Sequence, residues 1–146
     1  MKRVAMLAAT AVTLCACTST VSGRPTAPAA LTWQRPITAA VTGLGTALGP
    51  VGDAMMSHDF AAMAHACAGL QSPIDLIEQR LPTPDQDVND ALRDSVDDYR
   101  SFTKICMTLS PTTAPSALDQ LSDHLTRGDA AMRTALEHMG IELSPR

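Results

Sequence analysis

Met55, Met56, His58, Met63, His65 and Cys67 fall within thirteen residues, a mixture of soft sulfur and imidazole of the kind that binds copper. On a helix Met56, Met63 and Cys67 share one face, whereas His58 and His65 point nearly the opposite way. The two histidines also stand about 10 Å apart along such an axis, too far to share one ion. The spacing therefore reads as core methionines with solvated histidines. His124 and His138, also too far apart along a helix to chelate together, read as solvated in the same way. Asp85, Asp87 and Asn89 match the first three ligand positions of an EF-hand loop, but Asp90 stands where that loop needs Gly and Val96 where it needs Glu. Asp87, Asp90, Asp94 and Asp97 recur three or four residues apart, as a hydrated face does when it begins at the positive end of a helix.

Catalysis has no better foothold. Gly43-Leu44-Gly45-Thr46-Ala47-Leu48-Gly49 misses the dinucleotide fingerprint at its third glycine and follows no strand. Neither G-x-S-x-G nor H-E-x-x-H occurs. The expectation is a non-catalytic protein without metal or cofactor, with haem ligation through Tyr99 or a histidine as a weaker alternative. Nucleic acid is not an expected partner, because the formal charge is −4 and aromatic residues make up 3% of the chain. Phosphate contacts need clustered bases and base stacking needs aromatic platforms.

The elements that would position these residues are helices. From Ile37 onward apolar residues recur at gaps of four and three, the signature of one buried helical stripe. The first ladder runs Ile37, Val41, Leu44, Leu48, Val51, Met55, and the second Phe60, Met63, Cys67, Leu70, Ile74, Ile77, Leu81. The third is Val88, Leu92, Ser95, Tyr99, Phe102, Cys106, Leu109, with Val96 competing for the Ser95 rung; the fourth is Leu118, Leu121, Leu125, Gly128, Met132, Ala135, Met139. Punctuation falls between them. Thr83 reads as an N-cap with Pro84 at the first helical position and Gln86 three residues after the cap. Pro115 repeats that pattern after Thr113-Ala114, and Gly140 reads as a left-handed C-terminal cap. Gly49-Pro50 should kink or break the first helix, and Ser72-Pro73 the second. The predicted fold is an all-α, antiparallel four-helix bundle with kinked or broken first and second helices.

The N-terminus reads as an address. Lys2 and Arg3 precede the apolar run Val4 to Leu14, which is shorter than the roughly twenty residues a permanent span needs, so residues 1–16 read as a removable signal. Leu14-Cys15-Ala16-Cys17 resembles the lipobox of bacterial lipoproteins, with Cys15 an unusual occupant of the position before Ala16. Cys17-Thr18-Ser19-Thr20-Val21-Ser22-Gly23-Arg24-Pro25 is similar to the opening of many mycobacterial lipoproteins. The resemblance implies export, acylation of Cys17 and attachment to the extracytoplasmic side of the cell membrane. Residues 17–36 then form a Thr/Ser/Pro-rich tether and residues 37–146 the helical domain. Loss of residues 1–16 takes the formal charge from −4 to −6, so acyl chains rather than bases would hold the protein to lipid.

With Cys15 removed and Cys17 acylated, Cys67 and Cys106 are left in an oxidising compartment and are expected to pair. Two straight helices would misalign them by about 10 Å, beyond the ~7 Å a disulfide spans between Cα atoms. An extended stretch at Gln71-Ser72, or a third helix starting nearer Val88, would close the gap. The expected function is an anchored binding or accessory module meeting another envelope protein, with carriage of a lipid or other apolar ligand in the bundle core as the alternative. Cys17→Ala should move the protein from the membrane to the soluble fraction on cell fractionation; firm attachment of that variant would remove the anchor.

Overall fold

The computed structural model describes residues 28–141, with side chains from Thr32 onward, and these residues form helices, turns and loops without a strand. Cys17 and its surrounding motif lie outside the described residues. Five helices follow in order: α1 (Pro28–Met56), α2 (Phe60–Gly69), α3 (Gln71–Glu78), α4 (Gln86–Cys106) and α5 (Pro115–His138). The fold is all-α, as the periodicity predicts.

The four ladders supply the core. Ile37, Leu44, Val51, Met63, Cys67, Leu70, Ile74 and Ile77 are buried on the first two, and Val88, Leu92, Ser95, Tyr99, Phe102 and Cys106 on the third. Leu121, Gly128, Met132, Ala135 and Met139 are buried on the fourth. Val96 is buried beside Ser95, so the two do not compete but widen the stripe. Met55 and Leu118 are the exceptions, 42% and 46% exposed although their ladders point inward. α4 is the hub, packing on α5, α3 and α2, while α1 rests on α2 and α3.

Three local expectations are corrected. α1 begins at Pro28, inside the segment read as tether, and passes Gly49-Pro50 without a break. An interior proline costs about 3 kcal/mol, but Leu44 and Val51 are buried on either side of it, and shared burial carries the helix through. The second ladder does break, at Leu70 rather than at Ser72-Pro73, and Leu70 caps α3 with no side-chain hydrogen bond. The cap of α4 is Asp85, whose carboxylate accepts from Val88 N at 3.1 Å. Thr83 sits two residues earlier, its hydroxyl donating to the Asp85 carbonyl at 2.6 Å. At α5 Pro115 takes the first helical position behind Ala114, as expected, and Gly140 adopts φ +72°. There Ile141 N donates to Leu136 O at 2.9 Å, closing a Schellman turn.

Cys67 and Cys106 come to disulfide distance, with Cα atoms 6.1 Å apart. Neither remedy proposed above brings them together, since Gln71 and Ser72 are helical and α4 starts at Gln86. The offset is absorbed by residues 79–85. Arg100 pairs with Glu78 at the end of α3, which places the start of α4 about 20 Å farther along its axis. The loop leaves α3 through a turn in which Arg80 N donates to Ile77 O and Leu81 N to Glu78 O, each at 3.0 Å, and Thr83 N ties it down by donating to Asn89 Oδ1 at 3.2 Å. A bond closing 39 residues of chain stabilises by roughly 4 kcal/mol in the chain-entropy treatment.

The α4–α5 seam depends on a missing side chain. Ser95 Oγ donates to the Gly128 carbonyl at 2.9 Å in the core, and a Cβ on Gly128 would meet the Tyr99 ring at 3.3 Å. That ring cannot retreat, because its hydroxyl donates to Asp129 Oδ1. Gly128→Ala should therefore lower thermal stability, overpacking of about 1–3 kcal/mol exceeding the ~1 kcal/mol gained in helix propensity. At Gly45 a Cβ would meet nothing within 4 Å, and Gly45→Ala should raise stability by up to about 1 kcal/mol in the same melting experiment.

Candidate functional site

The exposed rungs Met55 and Leu118 lie on opposite walls of one cleft. The end of α1 supplies Met55, and the α1–α2 turn supplies His58 at φ +55°. His58 N donates to Met55 O at 3.2 Å and Asp59 N to Ala54 O at 3.1 Å, so the turn is a second Schellman cap with histidine where glycine is the usual choice. Histidine is one of the few side chains that visit this region readily. Asp59 then caps α2, accepting from Ala62 N at 2.9 Å, which sets Phe60 and Met63 as the next part of the wall. Phe102 of α4 and Leu109 beyond it line the cleft with Leu118, Leu121, Ser122 and Leu125 of α5. The volume is about 360 Å³, within the usual range of ligand pockets, and the cleft opens to solvent. Its lining is apolar apart from His58 and Ser122. Met56, placed in the core by the helical wheel, is 77% exposed.

Other clefts are more polar or shallower. Between α1 and α5, which do not approach within 8 Å of each other at any Cα, runs a groove of about 610 Å³ that includes Leu44, Leu48, Met132 and Leu136 with Thr42, Asp129 and Arg133. A cleft of about 370 Å³ between α3 and α4 includes Gln71, Asp75, Arg100 and Lys104. There Arg100 is already neutralised by Asp75 and Glu78.

The other residues singled out for chemistry are dispersed. Met63 is buried and His58, His65 and His138 are exposed, and among the described residues no three His, Cys, Asp or Glu side chains gather as a metal site would need. Asp87, Asp90, Asp94 and Asp97 are exposed along α4. Tyr99 is buried with its hydroxyl held by Asp129, so it offers no free oxygen to a haem iron. Burial and that hydrogen bond push its phenol well above the ordinary value.

His124 is not the solvated side chain the spacing suggested. Its Nδ1 lies 2.7 Å from Asp98 Oδ1, and both side chains are largely covered, 23% and 19% exposed. Arg127 Nη2 donates to the same carboxylate at 3.0 Å. No spacing rule within one helix could have found this cluster, because Asp98 comes from α4 and its partners from α5. His124 bonds to Asp98 and Arg127, so the pair is a clasp between helices. Among the described residues, no helix is long and apolar enough to cross a membrane. No protein-family model, curated protein or solved structure matches this chain.

The clasp titrates. Burial alone would raise the Asp98 carboxyl, but hydrogen bonds from Arg127 and His124 outweigh it and hold the group below the ordinary carboxylate value. A carboxylate lowered in the folded state contributes stability above its unfolded pKa of about 3.9, and that contribution is lost as pH falls through the lower folded value. The melting temperature should accordingly fall on acidification below about pH 4. Asp98→Asn should melt lower than the parent at pH 7 and show a shallower acid limb, by about one proton; equal acid limbs would exclude the clasp.

Proposed function

We propose that this protein is a lipoprotein of the cell envelope, acylated at Cys17 and held on the extracytoplasmic side of the membrane, acting as a non-catalytic binding or accessory module. Its five helices form the four legs of an antiparallel bundle, α2 and α3 being one broken leg, with a Cys67–Cys106 disulfide across the core. Two contacts support opposite running of α4 and α5: Ser95 bonds to Gly128, while Phe102, farther along α4, shares a cleft with Leu121, earlier on α5. The lipobox resemblance supports the anchor.

The working surface is the cleft at the α1–α2 turn, and one observation carries this assignment. Of the four large exposed apolar side chains among the described residues, Met55, Met56, Leu76 and Leu118, two, Met55 and Leu118, line this cleft. A soluble surface scatters such residues singly, and a cluster marks a place where another molecule covers them. The cleft lies at the far end of α1, about 40 Å from Pro28, and a membrane holding the chain by Cys17 would leave it facing outward. Tethering raises the local concentration of such a module for partners on the same surface. Carriage of an apolar ligand remains the second reading, supported by the apolar lining of the same cleft.

Photo-crosslinking in the native envelope separates the two. A photoreactive side chain at position 55 or 118 should give protein-sized adducts, and one at position 76, equally exposed but outside the cleft, should not. Adducts of lipid mass at 55 and 118 would replace the module with the carrier, and adducts of equal yield at all three positions would remove the cleft from the account.

A further inference from the structure

We infer that the cleft between α3 and α4 is a second binding site, taking a small molecule that carries one carboxylate, and that Thr103 and Lys104 are the groups that hold it. Thr103 is 3% exposed and lines this cleft. Its hydroxyl is the one buried side-chain nitrogen or oxygen among the described residues without a hydrogen-bond partner. Helical hydroxyls elsewhere in the molecule donate to the carbonyl four residues earlier, as those of Thr42, Ser101, Thr126 and Thr134 do. Thr103 forgoes that bond. A buried hydroxyl left unpaired destabilises the fold, and a ligand in the cleft that bonds to it recovers the loss.

Two bridges bound the cleft. At one end Arg100 joins α4 to α3 through Asp75 and Glu78, and at the other Gln71 Nε2 reaches Met107 Sδ at 3.8 Å. Arg100 and Met107 are about 10 Å apart along α4, so the volume of about 370 Å³ suits a small molecule better than a length of chain. Charge narrows the choice. Asp75, Arg100 and Lys104 are the charged residues of the lining. Arg100 is spent on Asp75 and Glu78, whereas Lys104 makes no ion pair among the described residues. One carboxylate answers that ammonium; a doubly charged phosphate would add a second negative charge where two carboxylates already share one guanidinium. The Gln71 amide is spent on a thioether, a weak acceptor, and the Thr103 oxygen is closed to water. A carboxylate that parts Gln71 from Met107 gains the amide and the hydroxyl beside the ammonium, a set of donors for its two oxygens. Ile74 and Met107 are left to cover a short carbon chain.

The test titrates the full-length protein in detergent at neutral pH with acetate, butyrate and hexanoate, following the backbone amide resonances by NMR. Butyrate should shift those of Thr103 and Lys104 saturably, and butyramide, its uncharged counterpart, should bind at least about tenfold more weakly, as loss of a charge-assisted hydrogen bond implies. Lys104→Met should bring the affinity for butyrate down to that for butyramide. Thr103→Val should weaken butyrate by about tenfold and yet melt no lower than the parent, because it removes an unpaired hydroxyl and keeps the branched shape. Equal affinity for butyrate and butyramide overturns the choice of a carboxylate. A Thr103→Val variant that melts lower shows the hydroxyl satisfied within the protein and overturns the proposal as well. Absence of a saturable shift with all three acids, or binding indifferent to both substitutions, removes the site. The cleft at the α1–α2 turn stands or falls separately, on its own crosslinks.

Discussion

The close approach of α4 to α5 is the contact on which the rest of the structure depends. α4 carries the longest unbroken series of buried residues, and α2, α3 and α5 all pack on it. Its seam with α5 is fixed by several features that require one another. Gly128 has no Cβ, so the Tyr99 ring lies against its backbone. Tyr99 stays there because Asp129, one residue on, accepts its hydroxyl proton in a hydrogen bond. Ser95, buried on the same stripe, uses the exposed carbonyl of Gly128, which removes the cost of burying an unpaired hydroxyl. On the wetter edge Asp98 gathers His124 and Arg127. Polar groups satisfied in this way specify one register between two helices, which apolar rungs alone specify less sharply.

On the other side of α4 the constraint is a pair of cysteines at disulfide distance. Cys67 and Cys106 meet at the level where α2 gives way to α3, and Arg100 grips the end of α3 through Asp75 and Glu78. The sulfur pair fixes the level of the broken leg, and the ion pairs fix its direction. Exposed ion pairs of this sort contribute little energy by themselves; their effect here is on orientation. α1 is left to rest on α2 and α3 without approaching α5, so the helical fold stays open along that side. The cleft at the α1–α2 turn arises where α1 ends, α2 begins and α5 has only started. Among the described residues no helix covers the rungs at this end, Met55 as the last of its ladder and Leu118 as the first of its own.

Most of the core was legible along the chain, because burial on a helix follows a period that a sequence displays directly. The ladders named most buried residues of α2, α3 and α4, missing Pro73, Asn89, Ala91 and Thr103, and they included two rungs that are not apolar, Ser95 on α4 and Gly128 on α5. Caps were legible where their chemistry is local, as at Pro115 and Gly140. Caps were displaced where several residues compete, as Thr83 and Asp85 do within one short run. The continuity of α1 through Pro50 was not legible, since local propensity argues for a break and only burial on both sides of the proline overrides it. The cleft left one trace, a methionine cluster beginning with the exposed pair Met55-Met56, but periodicity assigns such residues to the core and cannot say which rungs lack a neighbour.

The amino-acid sequence by itself determined that the chain is helical and where its stripes run, because each of these follows from spacing and residue type within a short stretch. Tertiary structure decided what spacing cannot encode. It set the level at which Cys67 faces Cys106, through the turn and loop of residues 79–85. It joined Asp98 to His124 and Arg127 across two helices. It left Met55 and Leu118 uncovered, because exposure at the end of a bundle depends on where the neighbouring helices stop.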